Sequence, residues 1–333
     1  MTPLPSSTSQ IGILGLGICL PDRVLSNRDM ETMVDTSDEW IMSRTGIRER
    51  RILTPEQVPS DIAIPAARRA VEDAGLDPRD IDGVICATYS PDYIMPSMAC
   101  QIQGALGTRS GISFDLNGAC TGFVYALQAA QGLILSGVAR RIIVVGADCN
   151  SRLIDYRDRG TCILFGDGAG AVVLGAVDAP RGILGNSAGS DGLGARHIIS
   201  PLGGSARPIT AETVDSPDRY LQMNGREVFK FAVRVFNEVF EAAVANSGLK
   251  PADVDLLVPH QANVRIIQSA MDKFGFSADR VVINIEKYGN TSSASIPLAL
   301  QTAREDGRLV PGKVCALVAF GAGLTYAGTI LRW

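Results

Sequence analysis

The chain has 333 residues, 46% of them hydrophobic and 20% charged, with a formal net charge of −4. That apolar content supports a large core and excludes intrinsic disorder, and the acidic balance argues against a dedicated nucleic-acid binder. Seven cysteines scattered without CxxC spacing do not support a disulfide framework or a structural zinc site, and they fit a reducing compartment.

Taken in chain order, the N-terminal residues 1–8 have neither the basic nor the apolar segment of a secretory leader. No apolar run reaches membrane-spanning length, so a soluble cytoplasmic protein with no membrane partner is expected. Gly12-Ile-Leu-Gly15-Leu-Gly17 imitates a dinucleotide loop, but Cys19-Leu-Pro-Asp22 follows with a turn instead of a helix start. A helix is predicted over 61–73, stopped at Ala74-Gly75. A buried-type strand over 83–88, a helix over 98–106 and a strand over 112–116 come next. They are followed by a helix from near Cys120 to about residue 136 and a strand over 141–146. Phe165-Gly-Asp-Gly-Ala-Gly runs into a further strand; its small residues suit close backbone packing, and it lacks the lysine of a phosphate loop. The remainder reads as helix 226–246, strand 256–258, helix 264–274, strand 281–285, helix 293–306 and strand 314–320.

The second series repeats the first. Residues 74–82 read Ala-Gly-Leu-Asp-Pro-Arg-Asp-Ile-Asp, and residues 247–255 read Ser-Gly-Leu-Lys-Pro-Ala-Asp-Val-Asp. The same displacement of 173 carries Ala126-Leu-Gln onto Ala299-Leu-Gln, and the strand at Ile142 onto the strand at Cys315. A period this long is too large for a solenoid and means two copies of one α/β unit, assigned to 1–185 and 186–333. Two such units related by pseudo-symmetry bring equivalent loops around one shared site.

Three residues at those loops carry chemistry. Cys120 follows a strand and opens a helix, where free N–H groups and the helix dipole favour the nucleophilic thiolate. Only two histidines exist. His197 lies in a polar Gly/Arg-rich stretch and reads as an ordinary loop residue, whereas His260 sits at a strand end in Val258-Pro-His-Gln-Ala-Asn. Asn290, in Gly289-Asn-Thr-Ser, maps by the displacement onto Asn117, so the second copy presents an amide at the loop where the first presents its thiol.

With these go Asp35-Thr-Ser-Asp-Glu-Trp-Ile, Arg44-Thr-Gly-Ile-Arg-Glu-Arg, Gly118-Ala-Cys-Thr-Gly-Phe, Asp158-Arg-Gly-Thr and the Phe165 motif, in order along nearly the whole chain. Together they resemble the thiolase-fold condensing enzymes of the β-ketoacyl-acyl-carrier-protein synthase III family. The resemblance implies a thiolase-like fold, with two pseudo-symmetric α/β halves in α-β-α-β-α layers. It implies Cys120 as acyl acceptor from an acyl-CoA primer, with a depressed thiol pKa. The backbone N–H groups of Cys120 and Ala322 would form the oxyanion hole, and His260 and Asn290 would be donors to the enolate formed when malonyl-acyl carrier protein loses carbon dioxide. It further implies that Thr36, Trp40, Arg44, Arg159 and Asn263 grip CoA, and that Lys230, Arg265 and Lys273 receive the acidic carrier protein. The Met95 loop would floor the primer pocket across a homodimer, and no metal or redox cofactor would take part.

Departures bear on the primer rather than the chemistry. Ala322 stands for a usual glycine, Arg226 for a frequent asparagine, Leu324-Thr-Tyr-Ala for Phe-Thr-Trp-Gly, and Met95 for a bulky aromatic. A paralogous enzyme of a specialised pathway, using a non-acetyl primer, is the alternative they leave open. A thiolase would need a second catalytic cysteine, and Cys315 lies within a predicted strand. A non-catalytic scaffold would not keep the trio, and an acyltransferase working without decarboxylation would not need Asn290.

Overall fold

The computed structural model describes residues 9–333; the leader-free reading of residues 1–8 lies outside the described residues. Five strands form the first sheet: β1 (Ser9–Cys19), β2 (Gly83–Ala87), β3 (Ile112–Leu116), β4 (Ile142–Asp148) and β5 (Gly168–Asp178), in the order β1-β5-β4-β2-β3. Four form the second: β6 (Gly182–Ser190), β7 (Leu256–Pro259), β8 (Val314–Gly321) and β9 (Thr325–Arg332), in the order β7-β8-β9-β6. The displacement of 173 relates β2 to β7 and β4 to β8. β2 pairs in parallel with β4 as β7 does with β8, β2 also pairs in parallel with the edge strand β3, and the remaining pairings are antiparallel. The glycine-rich stretch at Gly12 is part of β1, paired with β5 along its length, which disposes of the nucleotide-loop likeness.

The helices complete five layers. α1 (Asp38–Thr45) lies near the site. α2 (Ser60–Asp73) and α3 (Met98–Leu106) cover the outer face of the first sheet. α4 (Gly122–Leu135) is apolar on nearly every side because it is buried between the two sheets. α5 (Gly225–Asn246) and α6 (Val264–Phe274) cover the second sheet, burying an aromatic stripe of Phe231, Phe236 and Phe240. α7 (Ser295–Glu305) shares the middle layer with α4; Phe123, Leu127, Ile296 and Leu300 meet residues of both sheets there.

Two expectations are corrected. Residues 281–285 are not a strand: a single parallel bridge, Leu257 to Val281, stands where β3 stands in the first sheet. The buried Gln261 amide replaces the missing ladder, donating to Val282 O at 3.0 Å and accepting from Asn284 N and Ile285 N at 3.1 and 3.2 Å. A side chain that satisfies the backbone removes the need for a strand neighbour. The 185/186 division falls inside β6, which belongs to the second sheet, so the seam between the sheets lies at the 179–181 turn.

Candidate active site

The turn Ala119–Thr121, a short 3-10 segment between β3 and α4, presents Cys120 to a cavity of about 620 Å³. Its mate, the turn Ser292–Ala294 ahead of α7, packs against it. Both turns begin on a non-glycine residue in the left-handed region, Ala119 at φ 46° and Ser292 at φ 52°, positions 173 apart. Such backbone costs on the order of 1–3 kcal/mol and persists where the surroundings over-determine it. Here the close packing of two kinked turns brings the loops of both halves to one point.

Cys120, His260 and Asn290 all line the cavity, together with Tyr89, Phe229, Asn263, Phe320 and Ala322. His260 and Asn290 are each oriented by neighbours. His260, buried at the end of β7, holds Val318 O through its backbone N–H, and its Nδ1 lies 2.6 Å from Ser295 Oγ. Phe320 packs edge-on against the imidazole, with centroids 5.4 Å apart. Asn290 Oδ1 accepts from Ser292 N at 2.8 Å, which fixes the amide and leaves its NH2 for the cavity. Asn290 is anchored by its backbone N–H to Leu164 O and by its carbonyl to Gly166 N.

The electrostatics depart from expectation at the thiol. Burial pushes Cys120 up to about 12 rather than down; the Ser292 hydroxyl and Asn290 amide pull the other way, and Asp148 raises it further. Desolvation outweighs the helix dipole at this thiol. Burial holds His260 down at about 3, so a neutral thiol faces a neutral imidazole in the unliganded protein. Ala322 N–H makes no hydrogen bond among the described residues. Gly321 lies so close to the nucleophile turn that a Cβ there would sit 2.8 Å from Cys120 N. Thr325 Oγ1 holds the two segments together, within hydrogen-bond distance of Gly118 O, Thr121 Oγ1 and Ala322 O.

The other expected residues fall into three groups. Trp40, Arg44 and Arg159 cluster outside the cavity, both guanidiniums lying over the indole at 5.1 and 4.7 Å. Thr36 Oγ1 is buried without a partner among the described residues, and Arg159 donates to Asp35 O. Asn263 Nδ2 donates to Arg44 O, tying this cluster to the cavity wall. Arg265 stacks over Phe229 with no carboxylate in ion-pair range among the described residues. By contrast Lys230 pairs with Glu227 at 2.8 Å and Lys273 with Glu241 at 2.9 Å. Met95 does not line the cavity within one chain; with Tyr93 and Ile94 it forms an exposed apolar run, Ile94 being 95% exposed.

Residues that sequence reasoning missed form the support beneath the trio. Buried Asp148 accepts from Thr88 Oγ1, Tyr89 N, Ser90 Oγ, Ser293 N and Ser293 Oγ. Ser293 occupies the position that the displacement of 173 maps onto Cys120; what the sequence did not show is its engagement with Asp148. Among the described residues no cluster of side chains suits a metal ion, and no helix is long and apolar enough to cross a membrane.

Residues 114–192 match the family model for 3-oxoacyl-[acyl-carrier-protein] synthase III, and residues 244–333 match the model for the C-terminal part of the same enzyme. A β-ketoacyl-[acyl-carrier-protein] synthase III from Symbiobacterium thermophilum is 50% identical over 97% of this chain and 98% of its own length. One from Caldanaerobacter subterraneus is 48% identical over 97% of each. Among solved structures, the synthase III of Thermus thermophilus is similar with a TM-score of 0.91 at 43% identity, covering 97% of this chain and 99% of the other. That of Aquifex aeolicus gives 0.89 at 41%, covering 97% and 100%.

Proposed function

The chain belongs to the 3-oxoacyl-[acyl-carrier-protein] synthase III family, and we propose that its cavity runs that family's condensation in two steps centred on Cys120. The enzyme is an acyltransferase. It joins an acyl-CoA primer to malonyl-acyl carrier protein, releases carbon dioxide and gives the β-ketoacyl-acyl carrier protein that starts fatty acid synthesis. The specialised-pathway alternative is not favoured by relatives this similar.

In the first step Cys120 sulfur attacks the thioester carbon of the primer. The carbon–sulfur bond to CoA breaks, and the thiol proton leaves with the departing CoA sulfur, so the resting neutral thiol is consistent with the stoichiometry. The oxyanion is held by the N–H groups of Cys120 and Ala322. In the second step malonyl-carrier protein loses carbon dioxide, and the enolate oxygen receives hydrogen bonds from His260 Nε2 and Asn290 Nδ2. The enolate carbon then attacks the acyl-Cys120 carbonyl, and the freed Cys120 thiolate takes a proton from solvent. No redox step arises, and we propose no cofactor beyond the two thioester substrates. The observation that carries this reading is the convergence of Cys120, His260 and Asn290 on one cavity, with the Asn290 amide and His260 Nδ1 each already engaged on the far side.

For CoA, we read the base as lying against Trp40 between Arg44 and Arg159, with Thr36 Oγ1 supplying an unused hydroxyl and Asn263 guiding the pantetheine arm. Carrier-protein docking falls chiefly to Arg265, whose charge is unpaired among the described residues, while Lys230 and Lys273 must first exchange carboxylate partners. A cytoplasmic homodimer fits the exposed Tyr93-Ile94-Met95 run beside the free edge at β3: a second copy would cover it and bring Met95 to the primer pocket.

The test is the intact mass of native protein and Cys120→Ala after incubation with a panel of acyl-CoAs. A stoichiometric adduct absent from the variant supports the reading, and the best-loaded chain names the primer. No adduct from any acyl-CoA or acyl-carrier protein sinks it.

A further inference from the structure

Ser295 and His260 occupy positions that also touch in the first half of the molecule. Their equivalents, 173 residues earlier, are Gly122 and Ala87, the first residue of α4 and the last of β2. There the contact is bare packing: a Cβ on Gly122 would stand 3.1 Å from Ala87 Cβ. In the second half the same contact is made by a hydroxyl and an imidazole, Ser295 Oγ and His260 Nδ1, 2.6 Å apart and both buried. No other hydrogen-bond partner of that hydroxyl is present among the described residues. We propose that Ser295 is a positioning residue: its hydroxyl donates to His260 Nδ1, which places the single imidazole proton on Nε2, facing the cavity.

The alternative direction, Nδ1–H donating to Ser295 Oγ, would leave Nε2 with a lone pair. A lone pair there repels an enolate oxygen and cannot serve the second step; an Nε2–H stabilises it. The burial that keeps the ring neutral makes the choice of tautomer decisive, since a doubly protonated ring would donate from either nitrogen whatever Ser295 did. Loading of Cys120 makes no demand on that proton, because the thiol proton departs with CoA. Ser295 therefore acts on the malonyl step selectively. This inference rests on the synthase reading above, and wild-type loading measured by mass tests that reading independently of the tautomer.

The chain holds only two histidines, so ring-nitrogen correlation spectra of the 15N-histidine-labelled protein contain two patterns, assigned with a His197→Gln variant. The expected wild-type result is hydrogen on Nε2 of His260 and a bare Nδ1; hydrogen on Nδ1 overturns the proposal. In Ser295→Ala the Nδ1–H form should appear. Condensation with malonyl-carrier protein should fall about tenfold or more, while acyl loading of Cys120 stays within about twofold. Equal losses in both half-reactions, or no loss in either, also overturn it. Should Ser295→Ala fail to fold, the wild-type spectrum alone decides.

Discussion

Replacing Gly321 with alanine would set a methyl carbon 2.8 Å from Cys120 N, 3.1 Å from Thr121 N and 3.2 Å from Cys120 Cβ. Relaxed contacts of this kind need about 3.5 Å, so the turn must retreat by roughly half an ångström. It has little freedom to do so: Ala119 is already in the left-handed region, Thr325 holds Gly118 from one side, and the Ser292 turn closes the other. The retreat moves the nucleophile and one oxyanion donor together. Displacements of this size cost on the order of 10²-fold in rate when they act on reacting atoms. We expect acyl loading of Gly321→Ala to slow about thirty- to a hundredfold, and stability to drop by about 1–3 kcal/mol from overpacking. CoA affinity should hold, because Trp40, Arg44 and Arg159 lie outside the cavity. Rapid-quench loading followed by intact mass, with urea midpoints and CoA titration alongside, separates these effects. Loading within twofold of wild type would refute the view that this glycine sets the nucleophile's position.

Three more outcomes follow from the same geometry. His260 has its folded pKa lowered from 6.5 to about 3, so its stability contribution is complete above pH 6.5 and is lost as pH falls toward 3. Between pH 7 and 5 the wild type should lose roughly 2 kcal/mol more than His260→Asn, read from urea midpoints, and parallel curves would count against a neutral buried imidazole. Because the Cys120 thiol stands near 12, its alkylation by iodoacetamide should keep rising about tenfold per pH unit through pH 9 without a plateau; a plateau near neutrality would mean that a thiolate is already present. Arg265→Ala should raise KM for malonyl-carrier protein about fivefold with loading from acyl-CoA unchanged, whereas Lys230→Ala, whose charge is already met by Glu227, should change it less than twofold. The reverse ranking would move the docking surface along α5.

Much of this molecule was legible before any coordinates. Periodic segments such as Met98–Leu106 and Val264–Phe274 begin and end where their apolar spacing and left-handed glycine caps, Gly107 and Gly275, say they should. The displacement of 173 pointed to a site shared by two halves because equivalent strand ends face each other. What escaped the sequence depends on through-space neighbours. Val281–Ile285 has the composition of a strand, and only the Gln261 amide, some twenty residues away, shows why it is not one. β6 carries Gly, Ser, Ala and Asn at most positions and pairs because the sheet needs it, not because its propensity is high. A helix start before a cysteine suggested a lowered thiol pKa; the depth of the pocket, which no local pattern encodes, reverses the sign.

The side chain at Ser293 has a kinetic consequence. It stands where Cys120 stands in the other half, yet its hydroxyl is committed to Asp148 at 2.6 Å and to Ala87 O at 2.9 Å, out of reach of any substrate. On the mechanism proposed above, the molecule thus has one seat for an acyl group where its symmetry could have offered two. Free CoA must vacate the cavity before the second thioester enters, so turnover becomes an alternation of visitors through one doorway. An excess of either visitor slows the other, and the ratio of primer to extender then governs how often a new chain is begun.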